Sequence, residues 1–246
     1  MDIKPPFGYS DIAPMNRNQK IRLLAPGEVP AFARGLNSIP ISYTEFALVA
    51  REYPIIFSTS DNQVFAPVAV LGMAAGENLY DNKGQWASNV YVPAYVRRFP
   101  FCMTTVTLDK VVQQNRLICV EKSHVDDKDG EPMFDAKGQS LPKWKEIETL
   151  LTEYEVDLER SREMCGILSD YGLLEPFTMQ AKFNSGAEPL HLTGMHRVAE
   201  SKIEHLNASQ LKNLVKKGVL SRVYAHLLSL DNFARLLDRK AAKKAA

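Results

Sequence analysis

The sequence predicts an α+β fold: antiparallel hairpins forming a sheet, with a long central helix and a C-terminal helical cluster. Three observations carry the prediction. Between residues 54 and 121, short runs rich in β-branched and aromatic residues alternate with clusters of Asp, Asn, Ser and Gly, the pattern of strands joined by tight turns. From Lys143 to about Tyr171 the apolar residues change to three- and four-residue spacing, which a helix gathers on one face. After Asn207 the same spacing returns in shorter segments.

Residues 1–36 are rich in Pro, Asn and Gly and show little periodicity, so they are expected as an extended arm laid on the domain, frayed at its start. Regular structure begins at Ser42-Tyr43-Thr44-Glu45. That is capping-box spacing, in which the Ser42 hydroxyl accepts the Glu45 amide and Glu45 reaches back. The helix is expected to run to about Glu52, with Phe46, Val49 and Ala50 inward, until Pro54 stops it. Pro54–Thr59 and Val64–Gly72 read as a hairpin split by Ser60-Asp61-Asn62-Gln63. Asn78-Leu79-Tyr80 and Gln85-Trp86 flank another turn, where Gly84 can take positive φ. Phe101–Leu108 and Leu117–Glu121 form a third strand pair. Leu79–Gln85 and Met133–Gln139 both spell apolar–aromatic–Asp–x–Lys–Gly–Gln, an echo that two similar turns explain.

The central helix places Trp144, Ile147, Leu150, Leu151, Tyr154, Leu158, Cys165 and Leu168 close to one face, and Gly172 is a natural stop. Phe177–Phe183 and Pro189–Val198 read as strands around Asn184-Ser185-Gly186. In the tail, Asn207 or Ser209 caps a helix ending at Lys216-Lys217-Gly218. A second helix carries Val219, Leu220, Val223, Tyr224, Leu227 and Leu228, and a third starts near Asp231 with Phe233, Leu236 and Leu237. Lys240–Ala246 is expected as a mobile basic tail. No linker interrupts the chain, so residues 1–246 are read as one domain.

The 246 residues suffice for one substantial core, and 45% hydrophobic with 24% charged residues argues against wholesale disorder. A net charge of +1 provides no global field for nucleic acid or membrane. The charge is uneven: Glu121–Glu163 holds 13 acidic and 7 basic residues, a net of −6, and Arg197–Ala246 holds 11 basic and 4 acidic, a net of +7. Solvated helix faces that pack on each other are the expected reading, with a two-poled surface suited to steering a partner as the alternative. Cys102, Cys119 and Cys165 are far apart without a CxxC, which reads as buried free thiols in a reducing compartment. The start lacks an apolar signal region, and the longest apolar stretch, Val64–Ala75, is too short to span a bilayer. A cytoplasmic protein is expected, unless a signal-independent route exports it to the cell surface.

A set of motifs follows in order along the chain: Asn37-Ser38-Ile39-Pro40, Arg51–Phe57, Pro67–Gly72, Asn78-Leu79-Tyr80, Gly84-x-Trp86, Tyr91–Phe101 and Tyr224–Asn232. Together they resemble the SapC family over nearly the whole chain. That family takes its name from a bacterial surface-array protein associated with serum resistance, and is distinct from the membrane permease of the same name. The resemblance implies no catalytic residue, cofactor or ligand.

The residues themselves nominate one cluster, Tyr95, Arg97 and Arg98. An arginine pair among aromatics can hold a carboxylate or phosphate by bidentate hydrogen bonds; it can equally be a packed turn with one arginine paired to an acidic neighbour. In a short helix adjacent side chains diverge by about 100°, so one arginine is expected inward beside a carboxylate and the other free. Histidines 124, 191, 196, 205 and 226 show no HxH or HExxH spacing, and each is read as structural or surface, with His226 ordering a helix–loop junction. Asp126–Gly130 lacks the first and last ligands of a calcium loop, so no metal or other cofactor is expected. Residues 210–230 have helix-turn-helix length, with Lys212, Lys216, Lys217 and Arg222 available to phosphates, but the near-neutral charge and wide apolar stripe argue against nucleic acid. The leading expectation is a non-catalytic binding or assembly protein acting on a protein partner or a small anionic ligand. An enzyme or enzyme accessory using Arg97/Arg98 is the second.

Overall fold

The computed structural model describes residues 2–60, 64–108, 111–112, 116–181 and 190–245. The expected turns at 61–63 and 184–186 lie outside these residues, as do Met1 and Ala246. Eight strands build the two sheets that frame the site: β1 (Ile12–Pro14), β2 (Ser38–Pro40), β3 (Ile55–Thr59), β4 (Phe65–Val70), β5 (Phe101–Thr104), β6 (Leu117–Glu121), β7 (Leu174–Ala181) and β8 (Leu190–Val198). The helices are α1 (Phe46–Val49), α2 (Ala94–Arg97), α3 (Pro142–Asp170), α4 (Ala208–Lys216), α5 (Val219–Ser229) and α6 (Asn232–Ala245). The fold is therefore α+β.

A five-stranded antiparallel sheet has the order β7-β8-β3-β4-β2, and a three-stranded one β1-β6-β5. In β3 and β4 the runs Ile55-Ile56-Phe57 and Val68-Ala69-Val70 are buried throughout. Successive strand residues point to opposite faces, so both faces are covered there. α3 packs on β4, and α5 packs on β3 and β8. β1 belongs to the expected N-terminal arm and pairs with β6 through Ala13 and Val120. Tyr9 donates to the Phe101 carbonyl at 2.6 Å, and buried Glu121 accepts from Ser10 N, Ser10 Oγ and Asp11 N.

The two echoed segments are similar tight turns. Asp81 accepts the Gly84 amide, Asp135 accepts those of Lys137 and Gln139, and Gly84 (φ 91) and Gly138 (φ 75) adopt the left-handed geometry. The charge-opposed segments meet at Lys217–Glu163, 2.6 Å.

The structure departs from the sequence reading at the first helix, at the C-terminus and at His226, and strands β1 and β2 precede Ser42, where regular structure was expected to begin. The helix expected to reach Glu52 is a 3-10 turn, Tyr43–Glu45, followed by α1, which ends at Val49. Pro54 has no N–H to give the Ala50 carbonyl, and that carbonyl accepts instead from Asn232 Nδ2 at 2.8 Å. The second departure is the C-terminus. Residues 240–245, expected as a mobile tail, continue α6, and Lys240 Nζ lies 2.7 and 2.9 Å from the two carboxylate oxygens of Glu77. Lys243 caps the carbonyls of Asn78 and Asp81.

His226 forms an unexpected join. β8 pairs with β3 at Met195–Ser58 and His196–Phe57, and in that register Val198 would next face Ile55. The imidazole of His226, fully buried, stands between them: Nε2 accepts from Val198 N at 3.1 Å and Nδ1 bonds the Ile55 carbonyl at 2.9 Å. An amide can only donate and a carbonyl only accept, so the ring is neutral with its proton on Nδ1. Ser229 Oγ takes the remaining Ile55 amide at 2.9 Å. Instead of ordering a helix–loop junction, His226 joins two strands, and with Ser229 it replaces the ladder bonds they would have made with each other.

Candidate functional site

Pro93 fixes an extended φ and opens α2, a single turn that ends at Arg97. The rotation between neighbours sends the two arginines apart. Arg98 is buried: its guanidinium carbon lies 4.1 Å from the Tyr95 ring centroid, 4.7 Å from Tyr154 and 5.7 Å from Tyr9. Its Nη1 is 3.9 Å from Glu155 Oε1, and Glu155 also pairs with Arg116. Arg98 Nε makes no hydrogen bond among the described residues. A delocalised cation desolvated among π faces needs fewer hydrogen bonds than an ammonium would. Tyr95 lies beneath it and gives its hydroxyl to the Phe7 carbonyl at 2.6 Å. Burial raises the pKa of Tyr9, Tyr95 and Tyr154, so the cage stays neutral around its cation.

Arg97 is exposed but oriented. Nε donates to the Val92 carbonyl at 3.0 Å and Nη2 to Tyr91 Oη at 2.9 Å. Because an arginine only donates, the tyrosine oxygen accepts there, and its own proton goes to Glu45 Oε1 at 3.0 Å. Burial, then the nearby Glu45 charge, push Tyr91 up to about 12, so the phenol stays protonated and the chain of bonds intact. Glu45 is itself buried and accepts from Ala94 N at 2.6 Å and Ser42 N at 2.7 Å. One carboxylate therefore anchors the 3-10 turn, the start of α2 and, through Tyr91, the Arg97 guanidinium.

Both arginines line a cleft of about 500 Å³ between the 23–28 loop, α2 and the start of α3. Its walls are mainly apolar, including Leu24, Pro26, Val96, Phe99, Ile147 and Leu150, with Arg97, Lys143, Glu146 and Glu28 among its charged groups. Lys143 pairs with Glu146 at 3.3 Å. Glu28 accepts the Ala25 amide at 2.9 Å and sits 3.9 Å from Arg22. A neighbouring cleft of about 400 Å³ shares Leu24, Glu28 and Phe99 and contains His124 and Glu121. His124 Nε2 faces Arg22 Nη2 at 2.9 Å and Nδ1 the Arg22 carbonyl at 2.7 Å. Since arginine is a donor only, both ring nitrogens are engaged. Glu121 is engaged by the N-terminal arm.

Of the nominated residues, Arg98 and Tyr95 are thus packed together, and Arg97 stands apart at the cleft. Sequence reasoning missed Tyr91, Lys143 and the 23–28 loop. Glu45 was legible as a helix cap, and nothing in its spacing announced the bonds to Ala94 and Tyr91. Among the described residues no three His, Cys, Asp or Glu side chains gather as a metal-ligand cluster, and no helix is long and apolar enough to cross a membrane.

A family model described as SapC matches residues 18–236. No curated protein and no solved structure matches the chain.

Proposed function

The chain belongs to the SapC family, and from that premise we propose that it is a non-catalytic binding protein whose site is the cleft beside Arg97, taking a small anionic ligand. The observation that carries this reading is the preset guanidinium: Tyr91 and Val92 hold two of its N–H groups and leave Nη1 outside any hydrogen bond among the described residues. A cation oriented before the ligand arrives loses little entropy on binding. Among the described residues the lining contains no histidine, cysteine or hydroxyl side chain, and its Lys143 and Glu146 are paired with each other, which supports binding over nucleophilic chemistry. Against a nucleic-acid role, Lys217 is paired with Glu163 and Arg222 stacks 4.1 Å over the Tyr43 ring, leaving a broken basic stripe.

The test is metabolite extraction from the purified protein and its Arg97→Ala and Arg97→Lys variants, compared by mass spectrometry. We expect an anionic species on the parent that both variants retain about 10- to 100-fold less well, the worth of a charge-assisted hydrogen bond. Equal retention by all three proteins would remove Arg97 from the site.

A further inference from the structure

Resting on the reading of Arg97 as an anion contact, we propose that the cleft takes an amphiphile with one carboxylate head and an apolar chain. The first argument is charge. Of the three cations on the lining, Lys143 faces Glu146 at 3.3 Å and Arg98 faces Glu155 at 3.9 Å. Among the described residues Arg97 pairs with no carboxylate; its partners are a carbonyl and a phenol. One uncompensated cation matches one negative charge. A dianion such as phosphate would retain a charge near Glu28 and Glu146, which share the cleft.

The second argument is shape. The guanidinium is a planar fork matched to a planar carboxylate. The same lining is largely apolar, with Val96, Phe99, Ile147 and Leu150 among its residues. A compact polar ion would leave that surface wet, whereas a chain attached to the head covers it. The volume, about 500 Å³, lies within the range of sites that enclose ligands of drug-like size.

The third argument is support. The head-group contact is held by a relay that ends on a buried carboxylate, Arg97 to Tyr91 to Glu45, while the apolar wall rests on α2 and α3. Tyr91 is a positioning residue in this scheme. Tyr91→Phe keeps the ring and removes the hydroxyl that orients Nη2, so it should weaken the carboxylates and leave an alcohol of equal length unaffected.

Calorimetric titration of the full chain with hexanoate, octanoate and decanoate, with octanol and inorganic phosphate as further arms, tests the proposal. Affinity is expected to rise roughly two- to fourfold per added methylene, the yield of burying each CH₂. Arg97→Ala should weaken every carboxylate about tenfold or more without altering the octanol titration. Melting temperatures of the variants check that they are folded, and Leu150→Trp, which fills the apolar wall, should penalise decanoate more than hexanoate. Phosphate binding that depends on Arg97, with a flat carboxylate series, would overturn the amphiphile and leave the anion site standing. Octanol binding as tightly as octanoate would overturn the carboxylate head. No titration by any arm would overturn both readings.

Discussion

Replacing Arg98 by Ala is expected to cost about 3 kcal/mol of stability, read from urea unfolding, because a buried ion pair loses one partner and the cage its cation. Arg97→Ala, exposed and bonded to one carbonyl and one phenol, should stay within about 0.5 kcal/mol of the parent, as surface changes do. The two neighbours would then separate cleanly into a residue of the fold and a residue of the surface. His226 gives a second prediction. Burial pushes its pKa from 6.5 down to about 4, so between those values the unfolded chain takes up a proton that the folded one refuses. Its contribution is complete above pH 6.5 and is lost as the pH falls towards 4, a loss of about 3 kcal/mol at roughly 1.36 kcal/mol per pH unit. His124, also lowered by burial, acts in the same direction. Urea midpoints measured from pH 7.5 to 4 should fall accordingly, and His226→Gln should flatten most of that slope.

At the scale of elements, α3 offers the sharpest packing test. Leu151 is fully buried in the smaller core beside Trp144, Phe101 and Val120, and Leu151→Ala should cost about 2–5 kcal/mol by chemical denaturation. α3 was legible to within a residue because its apolar face recurs over many turns and Gly172 (φ 65) closes it. The paired strands β3/β4 and β5/β6 were legible for a similar reason: polar turn residues punctuate short apolar runs. What stayed hidden depends on partners distant in sequence. The Ala50 carbonyl that Pro54 leaves without an amide is taken by Asn232, 182 residues away. The helical state of residues 240–245 accompanies bonds from Lys240 to Glu77 and from Lys243 to Asn78; a run of Lys and Ala displays its charge but not its acceptors. The candidate site was half legible. The composition of Tyr95-Val96-Arg97-Arg98 marked the cluster and the helical rotation foretold its split, whereas the cleft itself is made by a loop some seventy residues earlier and a helix some fifty later.

For the whole molecule, we expect a single unfolding transition, with calorimetric and van't Hoff enthalpies equal. Of the three apolar clusters among the described residues, α3 contributes Trp144 and Leu151 to one and Tyr154, Met164, Cys165 and Leu168 to the largest, so neither of these two can melt while its share of the helix stays in place. Two resolved transitions would instead assign the N-terminal arm with β5 and β6 to a separate unit. The cysteines set a further limit. Burial pushes Cys102 and Cys165 up to about 12 and Cys119 to about 11, which keeps them thiols, and a reductant should leave the transition unmoved. The wedge of α5 between β3 and β8 has a consequence in time. Ile55 leaves the ribosome 171 residues before His226, and at bacterial and eukaryotic synthesis rates that interval is on the order of 10–30 s. Throughout it, the central strand carries an amide and a carbonyl whose final partners have not been translated. Until β8 is made, β3 is therefore the open edge of its half of the sheet, and even after β8 pairs with it the join at Ile55 and Val198 closes only when α5 arrives.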